Sequence, residues 1–240
     1  MSQIGIISAL SSEGRCLTGN TIPVNKPVQI NQSTVAMICG MGEDNVRIAA
    51  HTLLEQNVSA LVSWGTAGAL TENIESGDLV LADSTVSNDG KKYSFDAEWN
   101  KYIINELSNT SLKIHHGMIA HAGQVLTTAE DKKRLHADTN ALSVDMESLA
   151  IARFAYKEKL PCVSIRAIVD EASQCIPEAV IKHTDAFGRP SLFPLVSSLI
   201  RNPRLITELI KLGSSMRAAT TSLNTVAKSR VLFRKTRPYS

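Results

Sequence analysis

The sequence predicts an α/β fold, a wound sandwich of strands and helices. Short apolar runs alternate with segments of helical spacing between residues 4 and 170, and glycine-bearing turns separate several of them. With 240 residues, 43% of them hydrophobic, the chain is long enough to bury a full core in one domain with an appendage.

Residues 4–7, Ile-Gly-Ile-Ile, read as a central strand ending in Ser8 and Ala9, with Glu13 in the turn that follows. Residues 35–39 read as a second strand, broken by Gly40-Met41-Gly42. A helix over 44–56 then turns Val46, Ala49, Ala50, Leu53 and Leu54 to one side. A Gly-x-Gly turn before a helix can offer backbone N–H groups to an anion or a sugar hydroxyl. No glycine stands three residues after Gly42, so a dinucleotide fingerprint fails, and a plain tight turn is the simpler reading. Residues 60–64 form a third buried strand, which runs into Gly65-Thr66-Ala67-Gly68-Ala69-Leu70. Such small residues imply close approach of the backbone to a ligand or a neighbouring strand. A turn and strand follow at 77–82, a helix at 99–107, a strand from 117 to about 122, and a polar helix at 130–136. The stretch 144–150, Val-Asp-Met-Glu-Ser-Leu-Ala, leads into a helix over 151–159, a turn at Lys159-Leu160-Pro161, and an apolar strand over 162–169.

A carboxylate stands at each end of that last helix–strand unit. Glu147 opens the helix, where a negative charge suits the N-terminus, and Asp170 follows the C-terminal end of a buried strand, where open α/β sheets bind ligands. The plain alternative is a first-turn acid and a cap.

Other chemistries find less support. Cys16, Cys39, Cys162 and Cys175 form no CxxC pair and the six histidines form no HExxH, so neither a metal site nor a disulfide framework nor a cofactor is expected. No basic leader and no run approaching about eighteen apolar residues precedes the first strand or interrupts the chain, so a cytoplasmic protein is expected. The net charge of +2 hides an asymmetry. Residues 189–240 hold ten Lys or Arg against Glu208 alone, or +9, which leaves −7 for residues 1–188.

These residues resemble the purine nucleoside phosphorylase and nucleosidase superfamily, most closely its methylthioadenosine/S-adenosylhomocysteine nucleosidase branch, over about two thirds of the chain. The marks are Gly5-Ile6-Ile7-Ser8-Ala9 with Glu13, Gly40-Met41-Gly42, Gly65-Thr66-Ala67-Gly68 followed by Gly77-Asp78-Leu79-Val80, Val144-Asp145-Met146-Glu147-Ser148, and Arg166-Ala167-Ile168-Val169-Asp170. The resemblance implies a twisted mixed sheet flanked by helices, and a homo-oligomer. It makes Asp170 the acid at purine N7, Glu147 the ligand of the ribose hydroxyls with Met146 packed on the sugar, and Glu13 the carboxylate that orients or deprotonates water. Gly65 and Thr66 match the loop that holds water or phosphate, and Arg166 matches an arginine that orders the acid.

The departures also carry information. Phosphorylases place arginines around phosphate, and only Arg15 or Arg47 is available here, which favours water. The branch's purine-stacking aromatic is missing near residues 124–127, leaving Val125 and Leu126 to pack on the base. After a catalytic domain over 1–188, the chain continues as a basic, amphipathic helical tail over 189–240. Its apolar positions are Leu195, Leu199, Leu205, Ile206, Leu209, Ile210 and Met216. They are accompanied by Arg201, Arg204, Lys211, Arg217, Lys228, Arg230, Arg234, Lys235 and Arg237. Such a helix suits an anionic bilayer surface, which would make the protein peripheral at the inner membrane, or packs on the body. Specific nucleic-acid binding is poorly supported, since only Phe233 and Tyr239 interleave the charges. The tail resembles that of the hopanoid-associated phosphorylase-like subgroup, which implies a lipid-linked adenosine such as adenosylhopane as substrate. Phosphorolysis, action on methylthioadenosine or S-adenosylhomocysteine, and a non-catalytic nucleoside-binding protein stay open as alternatives.

Overall fold

The structure, a computed structural model, describes residues 3–87, 89–189 and 204–233. In chain order its elements are β1 (Gln3–Ser8), α1 (Ser11–Thr18), β2 (Val28–Asn31), β3 (Thr34–Ile38), α2 (Glu43–Glu55), β4 (Val58–Ala69), β5 (Leu79–Val86) and β6 (Lys92–Ser94). There follow α3 (Ala97–Leu107), β7 (Ile114–His121), α4 (Ala129–Thr139), β8 (Ser143–Asp145), α5 (Ser148–Glu158), β9 (Cys162–Asp170), α6 (Glu178–Lys182) and α7 (Arg204–Lys228). Among the described residues the strands form one mixed sheet in the order β2-β3-β1-β4-β8-β7-β5-β6, with β9 paired to both β4 and β5.

Strands β3, β1, β4 and β9 are mutually parallel neighbours, so their C-terminal ends open on one edge. Their continuous apolar runs follow from burial on both faces. Ile4 and Ile6 face one core cluster with Val163, Ile165 and Trp64, whereas Ile7, Leu61 and Ile168 face the other. The second cluster is covered by α2 and α5 through Val46, Leu53, Leu149 and Phe154. The first is closed by α1, α3 and α7.

Helix α7 carries one apolar stripe put to two uses. Ala219, Leu223 and Val226 enter the core, while Leu209, Leu212 and Met216, earlier along the same stripe, line a cavity. The Ser222 hydroxyl donates to the Gly77 carbonyl at 2.5 Å and fixes the helix against the turn before β5. Lys211, Arg217, Lys228 and Arg230 remain exposed. The part of the tail described here therefore packs on the body. Leu195, Leu199, Arg201, Arg234, Lys235, Arg237 and Tyr239 lie outside the described residues. No described helix is long and apolar enough to cross a membrane.

Three local expectations change. Glu13 lies in helix α1 rather than a turn, because its own carboxylate reaches back to the Leu10 N–H at 2.9 Å and helps satisfy the helix start. The small-residue run 65–69 is no loop but the second half of β4, which runs unbroken to Ala69. The edge strands β2 and β6 were invisible as apolar runs, since several of their residues are exposed.

Candidate active site

A cavity of about 440 Å³ opens where the parallel strands end. Glu13, Asp145, Glu147 and Asp170 reach its polar floor, and among the described lining residues Lys132 is the sole basic side chain and none is aromatic.

Glu13 is 2% exposed and held by four donors. Thr66 donates to Oε1 from both its backbone N–H and its hydroxyl, each at 2.8 Å. Ser8 Oγ at 2.8 Å and the Leu10 N–H at 2.9 Å donate to Oε2. Together these fill the carboxylate's lone-pair positions, so a water must enter beside Thr66 Oγ1, the donor hydroxyl that itself lines the cavity.

Gly65 explains why that arrangement fits. A Cβ there would stand 2.4 Å from Arg166 Nη1 and 2.7 Å from Glu13 Oε1. A Cβ at Gly68 would stand 2.9 Å from Asp170 Oδ2. The close approach expected of this run is thus to the site's own charged side chains.

Arg166 is buried and pairs with Asp145 at 2.7 Å, not with Asp170. Its Nη2 also donates to Ser63 Oγ at 2.7 Å and Ser148 Oγ at 3.1 Å, and the Ser148 N–H donates to Asp145 at 3.2 Å. The planar guanidinium spreads its Nε and Nη2 donors over one carboxylate and two hydroxyls. The expectation that Arg166 orders the acid is corrected, because its guanidinium is taken up by Asp145 at the end of β8, Ser63 of β4 and Ser148 of α5.

The cation at Asp170 is Lys132, which α4 sends inward from an otherwise unburied helix. In the sequence α4 shows only as a polar helix. The pair joins residues 38 positions apart, and no local pattern announces it. Burial pushes the Asp170 carboxyl up, and the Lys132 ammonium opposes the shift.

Glu147 stands before α5 and accepts one N–H, from Gly42 at 3.2 Å. Gly42 has φ of +100°, so glycine is needed to aim that N–H, and the anion the turn receives is the protein's own. Burial, then repulsion from Asp145, push Glu147 up to about 7, with Arg166 opposing. Met146, Val125 and Leu126 line the cavity, whereas Gly65 is not among its described lining residues and lies against Arg166 and Glu13. The far wall is apolar, built by Ile176, Val180, Ile181, Leu209, Leu212 and Met216. Cys16 stays outside, buried against α7 with its thiol 3.7 Å from the Thr220 carbonyl.

Residues 4–189 match the phosphorylase superfamily. The 5′-methylthioadenosine/S-adenosylhomocysteine nucleosidase of Staphylococcus aureus is 26% identical over a match covering 71% of this chain and 87% of that protein. Among solved structures, the futalosine hydrolase of Helicobacter pylori has TM-score 0.72 at 17% identity, covering 96% of this chain and 97% of its own. The 5′-methylthioadenosine/S-adenosylhomocysteine nucleosidase of Neisseria meningitidis, in complex with methylthio-immucillin-A, has TM-score 0.71 at 17% identity, covering 97% and 98%. The likeness to these structures extends through the described part of the tail and establishes a shared fold.

Proposed function

Because the chain belongs to the phosphorylase superfamily, we propose that it hydrolyses the N-glycosidic bond of an adenine nucleoside whose 5′ position carries a large apolar group, such as adenosylhopane. The observation that carries this reading is the division of one cavity into a carboxylate floor and an apolar wall. Its volume falls within the ~300–1,000 Å³ usual for small-molecule sites.

In this reading Asp170 delivers a proton to N7 so that the base leaves neutral, Glu147 accepts from the ribose hydroxyls, and Met146 packs on the sugar. Positive charge growing on the ribose is met by a floor of four carboxylates, which outnumber Lys132 on that floor and Arg166 beneath Asp145. A water that donates to Thr66 Oγ1 gives its proton to that hydroxyl, which passes its own on to Glu13 Oε1. Val125 and Leu126 pack on the base.

Water is favoured over phosphate by the same geometry. Glu13 already occupies the donors of Thr66, and a phosphate would meet that charge unscreened. Arg15 donates to Thr21 and Arg47 pairs with Asp44, both at the surface. The catalytic unit over 1–188 acts with the 189–240 tail, whose helix α7 forms the wall for the 5′ group. Exposed Ile206 and Ile210 near that wall, beside Lys211, support contact with an anionic membrane surface that would supply such a substrate. Exposed Ile48 and Tyr156 on α2 and α5 support a homo-oligomer.

The test is adenine release from adenosines bearing a 5′ hydroxyl, methylthio or long alkyl group, with and without phosphate, using wild type and Asp170→Asn. Phosphate-independent release, fastest with the alkyl group and slowed about 10³-fold by the substitution, is expected. Strict phosphate dependence would replace hydrolysis by phosphorolysis. Release from none of the three would leave a binding protein.

A further inference from the structure

Lys132 is 1% exposed, the one buried residue of α4. A lysine is almost never buried this fully unless it is paired, and desolvating its charge is expensive. Its ammonium has three acceptors: Asp170 Oδ2, the Glu171 carbonyl at 2.7 Å and the Gln174 carbonyl at 3.0 Å. All three N–H bonds are therefore used, and both carbonyls belong to the segment that leaves β9 directly after the acid. The Ile176 N–H donates to the Thr127 carbonyl at 2.9 Å and ties this segment to the stretch bearing Val125 and Leu126.

We propose that Lys132 and Asp170 work as one acid, in which Lys132 holds the proton that Asp170 passes to the departing purine. The inference rests on the hydrolytic reading above and specifies its proton source. A carboxylate clamped by an ammonium would by itself meet the substrate as a base, unable to protonate N7. The pair has a second arrangement of identical net charge, carboxylic acid with amine, reached by moving one proton from Nζ to Oδ2. Burial weakens the preference for the ionic arrangement that water would enforce, and the opposed pressures on the Asp170 carboxyl have the same origin.

The balance is then complete. As the C1′–N9 bond breaks, its electron pair passes into the purine and N7 takes a proton from the Asp170 carboxyl. Lys132 supplies that proton to the carboxylate, which leaves carboxylate and neutral amine. The water oxygen bonds C1′ and gives its proton to the Thr66 hydroxyl, which passes its own to Glu13 Oε1. After the products leave, one proton returns from Glu13 to the pair through solvent. Lys132 touches no substrate atom and is a positioning residue that acts through Asp170.

Two variants separate proton supply from structural support. Lys132→Met keeps the length of the stem and leaves Asp170 buried without a cation, so its carboxyl keeps its own proton until pH climbs through its raised pKa and is a competent acid only below that point. Lys132→Arg keeps a charge that does not deprotonate in proteins. Each is compared with wild type on an alkyl-substituted adenosine and on 4-nitrophenyl riboside, whose phenolate leaves without a proton, from pH 5 to 9. The expected result is that Lys132→Met cleaves the adenosine near pH 5 but falls about 100-fold below wild type by pH 9. Lys132→Arg is poor with the adenosine throughout, and with both variants the nitrophenyl riboside loses at least about tenfold less rate than the adenosine does. An unchanged pH profile in Lys132→Met, wild-type adenosine turnover in Lys132→Arg, or a parallel loss on both substrates would overturn the proposal and reduce Lys132 to a structural tether. If wild type cleaves no adenosine, the hydrolytic reading fails as well. Wild-type turnover with unaffected variants sinks the proton-supply proposal alone.

Discussion

The floor and the wall of the cavity are built under opposite constraints. On the floor, each carboxylate is matched to a different partner: Glu13 to four hydrogen-bond donors, Asp145 to Arg166, Asp170 to Lys132, and Glu147 to one backbone N–H. On the wall, Leu209, Leu212, Met216 and Ile176 offer only apolar surface. An arrangement of buried charges fails when one member is displaced, since an unpaired ion is left in a dry place. An apolar wall tolerates change of shape at small penalty. Substitutions should therefore have large, indivisible effects on the floor and graded, substrate-dependent effects on the wall.

The sharpest test of the floor is Gly65→Ala. The added methyl would meet Arg166 and Glu13 at once, and both are fixed by other partners, so neither can yield cheaply. Losing the Arg166–Asp145 pair alone corresponds to roughly 3–5 kcal/mol. Thermal unfolding should show a Tm lower by roughly 10 °C, with turnover lost in the same variant. A wild-type Tm would mean that the floor is more pliable than its packing indicates.

Glu147 is the member of the floor with the weakest partner, and it yields a smaller effect that changes with pH. Its carboxyl ionises at about 7 in the folded protein, against an ordinary 4.5, so protonation favours folding. That stabilisation is complete below about 4.5 and is lost as pH rises through about 7. Glu147→Gln should match wild type in stability at pH 5 and exceed it at pH 8, by at most about 3 kcal/mol. The same proton opposes catalysis, because a ribose hydroxyl needs the ionised form as acceptor. Wild-type kcat/KM should therefore rise with pH through about 7. Denaturant unfolding at the two pH values checks the first statement. Equal stabilisation at pH 5 and pH 8 would show that the carboxylate is relieved by a partner other than Gly42.

What the sequence disclosed follows the same division. Strands β1, β3, β4 and β9 were legible because burial on both faces leaves continuous apolar runs, and Glu13, Glu147 and Asp170 because motif and strand end coincide. Helix α1 was hidden, since Cys16 and Leu17 are its only clearly apolar buried side chains and the residue that helps start it, Glu13, had been assigned to chemistry. Lys132 was hidden because its significance lies in a pairing made by the fold. Residues 65–69 were correctly read as a place of close approach. Which side chains approach depended on how β1, β4 and β9 are aligned, with Gly65 beside Arg166 and Gly68 beside Asp170. Helix α7 showed its apolar spacing plainly, but the sequence had no means of separating Leu212 and Met216, which line the cavity, from Leu223 and Val226, which fill the core.

That last distinction gives the mildest test. Leu212 is partly exposed on α7 and lines the cavity without belonging to the buried core, so Leu212→Trp should leave Tm nearly unchanged. The larger ring would occupy space that the 5′ group is proposed to take. For an alkyl-substituted adenosine KM should rise about tenfold, corresponding to about 1.4 kcal/mol, with kcat little altered, because the interaction removed is the same in ground and transition states. For adenosine with a free 5′ hydroxyl, which does not reach the wall, both constants should stay within about twofold. Steady-state kinetics on the two substrates measures the difference directly. A KM that rises equally for both would place Leu212 against the base or ribose instead, and the wall would lose its role in choosing the 5′ substituent. A change confined to the alkyl substrate would show that floor and wall act on separate parts of one molecule.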